Sequence, residues 1–338
     1  MATEGPSCPA CTRVCANGPD RHFDVDEAAQ HFVLREEYPQ RHYELVQHIR
    51  DLWASDRCAS WTCRACGMGF AQPFVAGDGA FYNMAYPYTH YPERRWEFEA
   101  SIRSLDDAAL VDGPVLEIGS GFGWFLRRLA PRFVAFDQIV SLEFNEQATP
   151  RLSAMGCHVH SCDVRDRVLD KYSGQLAAVF MFQVLEHMDD LDALIVRLND
   201  LVRPGGDIFV AVPNKQRLDF NAAHGSLLDM PPNHLSQWTT TALRAFAARA
   251  GWRVSALQRE PLGWHSFMKQ DLTQSHVRRA QVRGSLANRV RCKPRSNARS
   301  VAEAGLALAA IPERLPAWAE ARRRLDELGE SLWARFKR

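Results

Sequence analysis

Residues 115–125, VLEIGSGFGWF, combine a carboxylate with three closely spaced glycines. Gly119, Gly121 and Gly123 have no Cβ atom, so their backbone can come close to a bound ligand. Their spacing is G-x-G-x-G, whereas a dinucleotide-binding turn has G-x-G-x-x-G. Glu117 would also oppose a pyrophosphate at this place, and it favours a ligand that carries an ammonium and a sulfonium group. The turn therefore predicts a site for S-adenosylmethionine rather than for NAD.

Two C-x2-C pairs, CPAC and CRAC, indicate a metal site near the start of the chain. Such pairs are a usual way to offer four thiolates to a tetrahedral Zn²⁺, and four thiolates leave no open coordination position, which predicts a structural role. The gap of about 50 residues is longer than in a compact ribbon, so reduced structural cysteines are the alternative. Cys15 and Cys58 are either spare thiols or replacement ligands. The predicted ligands are Cys8, Cys11, Cys63 and Cys66.

An alternation of strands and helices from residue 114 onward must position the glycine turn. Such alternation implies a mostly parallel, doubly wound α/β sheet, which binds its ligand beyond the carboxyl ends of the strands. The helix over 239–252 has an N-cap candidate in Thr239 or Thr240 and a stop at Gly251. The predicted strands are 114–119, 139–145, 158–164, one within 176–188, 207–214 and 253–260.

The regions before and after this alternation differ in composition. The sequence pattern of residues 26–56 predicts two helices divided at Pro39, and that of residues 67–79 predicts a loop. Residues 80–105 are rich in aromatic side chains, with a helix after Pro92, and they either pack or fold over the ligand as a lid. In that segment, Tyr82, Tyr86 and Tyr88 are expected to shape the pocket.

The last part of the chain begins with a basic segment, 272–302, which has eight Arg or Lys and no Asp or Glu. A solvated segment is the favoured interpretation, and binding to nucleic acid or an acidic partner is the alternative. A final helix over 317–336 is then expected to pack through one apolar face. That face consists of Trp318, Ala321, Leu325, Leu328, Leu332 and Phe336.

The composition of the chain is that of an ordinary soluble protein. It has 338 residues, 46% hydrophobic and 24% charged, with a net charge of +1, so no global charge argues for nucleic acid or an anionic membrane. The first residues have no secretory pattern, and no run approaches the ~18 apolar residues of a membrane span. We therefore expect a cytoplasmic protein whose nine cysteines are reduced.

Five motifs in order make residues 114–260 resemble the class I S-adenosylmethionine-dependent methyltransferases. They are VLEIGSGFG, SLEFN, CDVRD, FQVLEHMDD and LVRPGGDIFVAVPN. The cysteine pairs, the aromatic segment and MPPNHLSQWTTTAL are also similar to a bacterial subgroup with a zinc-binding N-terminal region. The resemblance implies a Rossmann-like, seven-stranded methyltransferase sheet with an N-terminal zinc-ribbon-like module and a helical C-terminal tail.

The resemblance also implies roles for individual residues. Gly119, Gly121 and Gly123 would approach the methionyl part of the cofactor, with Glu117 near its amino group. Glu143 would accept both ribose hydroxyls, because a carboxylate offers two oxygens. The remaining implied contacts are Asp163 with the adenine amino group, the backbone of Val164 beside it, Gln183 beside the methionyl carboxylate and Phe122 lining the site.

Two histidines stand where a methyl acceptor would bind. His187 follows the fourth strand in LEHM, and His234 lies in the Pro-rich loop PPNHLSQW. Methyl transfer needs a general base only when the nucleophile arrives protonated, and histidine is the commonest one. A hydrogen-bonded structural role is the alternative for either residue. Both histidines are catalytic candidates.

These observations predict four regions and a function. The regions are a zinc-binding module with a helical insertion (1–78), an aromatic lid or linker (79–112), the S-adenosylmethionine-binding domain (113–262) and a basic segment with a C-terminal helix (263–338). The expected activity is methyl transfer to a small molecule, such as a sugar or a natural-product intermediate. Methylation of a peptide, protein or nucleic acid, or a non-catalytic binding role, is the alternative. The oligomeric state stays open.

Overall fold

The computed structural model describes residues 5–86, 91–106, 112–130, 132–224 and 231–338. Its strands are β1 (Arg21–Asp24), β2 (Arg57–Thr62), β3 (Gly69–Gln72), β4 (Val115–Ile118), β5 (Ile139–Leu142), β6 (His158–His160), β7 (Leu176–Phe182), β8 (Val202–Pro213), β9 (Ser236–Gln237), β10 (Arg253–Arg259) and β11 (Ser331–Lys337). Its helices are α1 (Val25–Phe32), α2 (Pro39–Trp53), α3 (Gly79–Ala85), α4 (Trp96–Asp106), α5 (Leu126–Leu129), α6 (Thr149–Ala154), α7 (Leu191–Leu201), α8 (Lys215–Ala223), α9 (Thr240–Ala250), α10 (Trp264–Gln281), α11 (Leu286–Arg291), α12 (Asn297–Ala309) and α13 (Ile311–Arg323).

The central sheet has seven strands in the order β10-β11-β8-β7-β4-β5-β6. The five strands from β8 to β6 are parallel, and β11 is antiparallel to both of its neighbours. All seven residues of β7 are buried, as expected for a parallel strand that is covered on both faces by helices. The predicted α/β architecture with a Rossmann-like sheet is therefore confirmed.

Local sequence signals set the ends of several helices. In α9, the Thr239 side chain accepts a hydrogen bond from the Ala242 N–H at 2.9 Å, and Gly251 closes the helix with φ +76°. Helix α2 begins at Pro39, which needs no backbone N–H partner at a first helical position. All three boundaries agree with the sequence predictions.

A second, smaller sheet joins the N-terminal region to the rest of the chain. Its strand order is β1-β2-β3-β9, all antiparallel, and β9 comes from the segment that follows residue 230. Helices α1 and α2, the two helices predicted on either side of Pro39, pack beside it. The prediction of a loop over 67–79 is wrong for β3, because pairing with β2 and β9 makes that segment a central strand. Long-range pairing of this kind leaves no local signal.

The end of the chain corrects one prediction. Helix α13 ends at Arg323, and residues 331–337 form a strand instead of continuing a helix. Gly329 allows this turn, because a Cβ there would lie 1.9 Å from the Glu260 carbonyl oxygen. Trp333 and Phe336 are fully buried in the sheet. An apolar run that is buried on both faces has no strand periodicity, so it matched a helical pattern by chance.

The basic segment is folded into α10, α11 and α12, so helices do precede the end of the chain as predicted. Four of its eight cations form ion pairs with acidic residues outside the segment, which are Arg279 with Glu313, Arg283 with Glu36, and Arg291 and Arg299 with Glu303. The expected solvated segment is therefore a set of packed helices. Within the described ranges, none of the helices has the length and hydropathy needed to span a bilayer.

Candidate functional site

The glycine turn lies directly beyond the carboxyl end of β4. The N–H groups of Gly119 and Ser120 both donate to the Leu142 carbonyl oxygen, at 2.9 and 3.2 Å, which ties the turn to the end of β5. Gly119 and Gly121 have φ values of +74° and +51°, a region that favours glycine. A Cβ on Gly119 would lie 2.7 Å from the Val184 side chain. The turn therefore has both the conformation and the close packing that require glycine.

Glu143 lies opposite the turn and is almost fully buried. One carboxylate oxygen accepts from the Gly121 N–H at 2.6 Å, and the other accepts from the Asn145 N–H at 2.8 Å. Burial raises the pKa of this carboxyl above its ordinary value, while the N–H groups of Asn145 and Gly121 oppose that shift. The carboxylate thus fixes the glycine turn from the neighbouring strand.

Glu117 is a second buried carboxylate at the same place. Its side chain is inside the protein at the end of β4, and its Oε2 has no hydrogen-bond partner among the described residues. Burial raises the pKa of Glu117 well above the ordinary range, and the nearby charge of Glu143 adds to that effect. A buried carboxylate oxygen without a donor is costly, so this atom marks a position where a polar ligand group would be stabilised.

The other predicted cofactor contacts are placed near the same edge but have protein partners. Asp163 holds the Arg165 guanidinium at 2.6 and 2.9 Å, and this partner keeps the pKa of the carboxyl below its ordinary value although burial raises it. The carbonyl oxygen of Val164 accepts from the Arg197 side chain at 3.1 Å. Gln183 has φ +56° and donates to the Glu97 carboxylate at 3.1 Å.

Tyr91 covers the glycine turn, a position that the sequence did not single out. A Cβ on Gly121 would lie 2.9 Å from its ring, and the ring of Phe122 stands edge-on to it at 5.0 Å. The Asn145 side chain donates to its hydroxyl at 3.4 Å. Burial raises the pKa of Tyr91 to about 12. Its membership of an aromatic-rich segment was the available signal. The predicted residue Tyr88 lies outside the described residues.

The two candidate histidines are in contact. Their ring centroids are 4.6 Å apart, with His187 on the turn that follows β7 and His234 in the loop before β9. His187 Nδ1 is 2.7 Å from the Asn233 carbonyl oxygen and 3.1 Å from the Tyr82 hydroxyl. Burial lowers the pKa of His187 to about 4, and burial together with the neighbouring His187 lowers the pKa of His234 well below its ordinary value. Both imidazoles are therefore neutral at pH 7.

Glu186 completes this group and was missed as a functional residue, although it directly precedes His187 in LEHM. Its carboxylate is fully buried, and neither oxygen has a hydrogen-bond partner among the described residues. Oε1 lies 3.9 Å from His187 Nε2. Burial raises the pKa of Glu186 to about 8, although its own backbone N–H and the charge of Arg95 oppose that shift. Only the fold reveals this environment.

A cavity of about 340 Å³ opens between the small sheet and α8. Aromatic residues of the sheet, Phe23, Trp61 and Phe70, line one side, and Lys215 lies on the other. His234 forms part of its wall and thereby connects the cavity to the histidine pair. The volume is in the range of small-molecule sites.

A family model described as a methyltransferase domain matches residues 88–257, which is half of the chain. The chain belongs to the methyltransferase-domain family. This membership agrees with the motif resemblance and with the seven-stranded sheet of the methyltransferase. The match contains the glycine turn, the carboxylates Glu117 and Glu143, and both candidate histidines.

The solved structures to which this chain is similar are distant in sequence. An S-adenosylmethionine dependent methyltransferase from Mesorhizobium loti has 14% identity and a TM-score of 0.44, covering 73% of this methyltransferase and 100% of its own chain. One from Archaeoglobus fulgidus has 15% identity and a TM-score of 0.44, covering 77% and 100%. Geranyl diphosphate C-methyltransferase from Streptomyces coelicolor A3(2) has 13% identity and a TM-score of 0.40, covering 71% and 79%. No curated protein matches the sequence.

The methyltransferase brings its two cysteine pairs together. Their four sulfur atoms lie within 4.8 Å of one another, and the Cys8–Cys66 and Cys11–Cys63 sulfur distances are both 3.6 Å. A tetrahedral zinc site with bonds of 2.3 Å would separate its sulfurs by about 3.8 Å. Cys15 and Cys58 do not belong to this group of four. The four cysteines predicted as ligands are therefore the four whose sulfur atoms lie close together.

The two pairs also have the same backbone geometry. The residue after the second cysteine, Thr12 or Gly67, has a positive φ, and its N–H donates to the carbonyl oxygen of the first cysteine at 2.8 Å. Donation from the Cys66 thiol lowers the pKa of Cys8 to about 5. The Cys66 carbonyl oxygen in turn accepts from the Thr239 hydroxyl at 2.7 Å. The cluster is thus attached to the N-terminus of α9.

Proposed function

We propose that this methyltransferase transfers a methyl group from S-adenosylmethionine to a small-molecule acceptor by in-line displacement. The observation that carries the proposal is the placement of two buried carboxylates, Glu117 and Glu143, at a glycine turn. When bound, the cofactor supplies a methyl group on a positively charged sulfur. Buried carboxylates favour such a cation and oppose a pyrophosphate, which supports this cofactor over a dinucleotide.

The residues present at the turn fit this cofactor. Glu117 Oε2 has no partner among the described residues, and an ammonium group would give it one. Each oxygen of Glu143 already accepts one backbone N–H, and the Tyr91 hydroxyl also interacts with this carboxylate, so ribose hydroxyls would compete with Tyr91 for the remaining lone pairs. We place the adenine amino group beside Asp163 and the backbone of Val164, and the methionyl carboxylate beside Gln183. Phe122 would line the site.

The acceptor belongs, in this proposal, to the cavity walled by His234. A volume of about 340 Å³ suits a small molecule, and three aromatic side chains with Lys215 offer both apolar contact and a polar handle. His187 and His234 would stand at the acceptor end of the site. Ion pairing of four cations in the basic segment weakens the alternative of a polymeric, nucleic-acid substrate.

We further propose that the four gathered cysteines bind one structural Zn²⁺. The equal sulfur distances of 3.6 Å and the matching backbone turns support a tetrahedral thiolate site. Its role would be to hold the small sheet against α9, since the Cys66 carbonyl accepts from Thr239 at the cap of that helix. Four thiolates leave no position for substrate.

Isothermal titration tests the cofactor assignment. Wild-type protein is expected to bind S-adenosylhomocysteine and not NAD. Glu117→Gln should weaken that binding about tenfold, since one charge-assisted contact of roughly 1.4 kcal/mol is lost. Glu146→Gln is the matched control, because this exposed glutamate lies on the same segment as Glu143. Tight NAD binding without S-adenosylhomocysteine binding would refute the cofactor assignment.

A screen of candidate acceptors, read by mass spectrometry for one added methyl group, tests the substrate class. Ala222→Phe should fill the cavity and reduce turnover of a small acceptor while leaving the affinity for S-adenosylhomocysteine unchanged. Acceptor binding should also depend weakly on salt. A steep loss of affinity with salt would favour a polyanionic substrate instead.

A further inference from the structure

A second group of metal-ligating side chains lies apart from the cysteine cluster. Glu186, His187 and His234 each present one ligand atom, and these atoms lie within 4.8 Å of one another. They come from two segments, the turn after β7 and the loop before β9. The Leu235 N–H joins these segments by donating to the Glu186 carbonyl oxygen at 2.9 Å. This backbone hydrogen bond therefore holds together the two segments that carry the three side chains.

The tautomer of His187 suits a ligand. Its Nδ1 lies 2.7 Å from the Asn233 carbonyl oxygen, and a carbonyl oxygen only accepts, so Nδ1 must carry the proton. The lone pair of the neutral ring is then on Nε2, the nitrogen that lies 3.9 Å from the Glu186 carboxylate. Metal-binding histidines commonly donate their other N–H to a backbone carbonyl in this way.

The burial of Glu186 indicates a ligand independently of the proximity of the three side chains. Both of its carboxylate oxygens are buried without a hydrogen-bond partner among the described residues. Leaving a buried carboxylate unpaired is costly, and such groups are normally paired or coordinate a metal. Its nearest basic nitrogen in the group is the neutral imidazole of His187, which offers a lone pair rather than a proton. A cation between the two would satisfy both.

We propose that Glu186, His187 and His234 bind one divalent transition-metal cation. Two imidazole nitrogens and one carboxylate oxygen are a ligand set that Zn²⁺ accepts in sites with an open fourth position. His234 also lines the cavity. The open coordination position of the cation would therefore be accessible to an oxygen atom of the acceptor. This role rests on the proposed function, whereas cation binding itself does not. The histidines would then act as ligands, and the cation would lower the pKa of an acceptor hydroxyl.

Zinc stoichiometry tests the site without substrate or cofactor. The full chain and its variants are dialysed to equilibrium against dilute ZnCl₂, and bound zinc is measured by elemental analysis. Wild type should hold one equivalent more than Glu186→Gln and His234→Ala. His158→Ala is the matched control, because His158 is an exposed imidazole at the amino end of the edge strand β6, whereas the proposed site lies beyond the carboxyl end of the interior strand β7. It should hold as much zinc as wild type.

The test compares the zinc content of wild type with that of each variant. Zinc bound by the cysteine cluster is the same in all of these proteins, so it does not affect the difference. Equal zinc in wild type, Glu186→Gln and His234→Ala overturns the proposal, as does a loss of the same size in His158→Ala. Titration with S-adenosylhomocysteine provides the second readout, because both site variants should keep wild-type affinity for it if they are folded. Wild type that binds the extra zinc but no S-adenosylhomocysteine would support the cation site and contradict the proposed function.

Discussion

Replacement of Glu143 by Gln gives the sharpest test of how the glycine turn is held. The two carboxylate oxygens have separate tasks, since Oε2 accepts from the Gly121 N–H and Oε1 accepts from the Asn145 N–H. A glutamine has one acceptor oxygen and one NH₂ group. Whichever way it is oriented, one of the two backbone donors must face another donor.

The expected cost follows from that mismatch. A buried donor without an acceptor costs roughly 1–3 kcal/mol, and the bond that remains loses the strength that a charged acceptor gives. Removal of a buried charge offsets part of this loss, because burial already disfavours the ionised form of Glu143. We expect the free energy of unfolding to fall by about 2 kcal/mol in Glu143→Gln.

Urea denaturation followed by tryptophan fluorescence measures this change, with Glu146→Gln as the control. Titration of the same proteins with S-adenosylhomocysteine should show a loss of ten- to a hundredfold in Glu143→Gln, equivalent to about 1.4–2.8 kcal/mol. Wild-type stability in Glu143→Gln would refute the view that this carboxylate holds the turn. Wild-type affinity with reduced stability would remove it from the ribose site only.

Three further changes test other parts of the structure. Gly121→Ala should lower the free energy of unfolding by at least about 1–2 kcal/mol, because φ is +51° and the new Cβ meets Tyr91; urea denaturation measures it. Cys66→Ser should lose one zinc equivalent by elemental analysis and lower the melting temperature, and an unchanged metal content would contradict the thiolate site. Glu260 has a folded pKa of about 7 against an ordinary 4.5, so it takes up a proton on folding and adds stability as the pH falls from 7 to 4.5. Relative to Glu260→Gln, wild type should become more stable as the pH falls through that window, by less than the roughly 1.4 kcal/mol per pH unit of a full proton because solvent reaches part of this carboxyl, and parallel stability curves would refute the shift.

Structural features that depend on residues close together in the sequence were predictable. The cysteine pairs gather as their spacing indicated, and the glycine turn with Glu117 lies at the carboxyl edge of the sheet. Helix ends at Thr239 and Gly251 follow from capping chemistry that acts within a few residues. The order of motifs was sufficient to predict the central strands, although several are shorter than expected. Domain boundaries and residue roles stay predictions.

Features that depend on distant pairing were not predictable. Strand β3 looks like a loop until β2 and β9 are placed beside it. Glu186 looks like an ordinary acidic residue until burial removes its solvent and leaves its oxygens without donors. Tyr91 is one of several tyrosines in its segment, and only the fold places it over Gly121. Each case needs knowledge of which elements become neighbours.

The position of β11 has a consequence for synthesis on the ribosome. This strand separates β8 from β10, yet it comes later in the chain than every other strand. Until it emerges, the facing edges of β8 and β10 have no partner, and open edges invite pairing with other chains. Completion of the sheet therefore has to wait until residues 331–337 have left the ribosome. A stalled or truncated product that lacks residues 331–337 should be prone to aggregation.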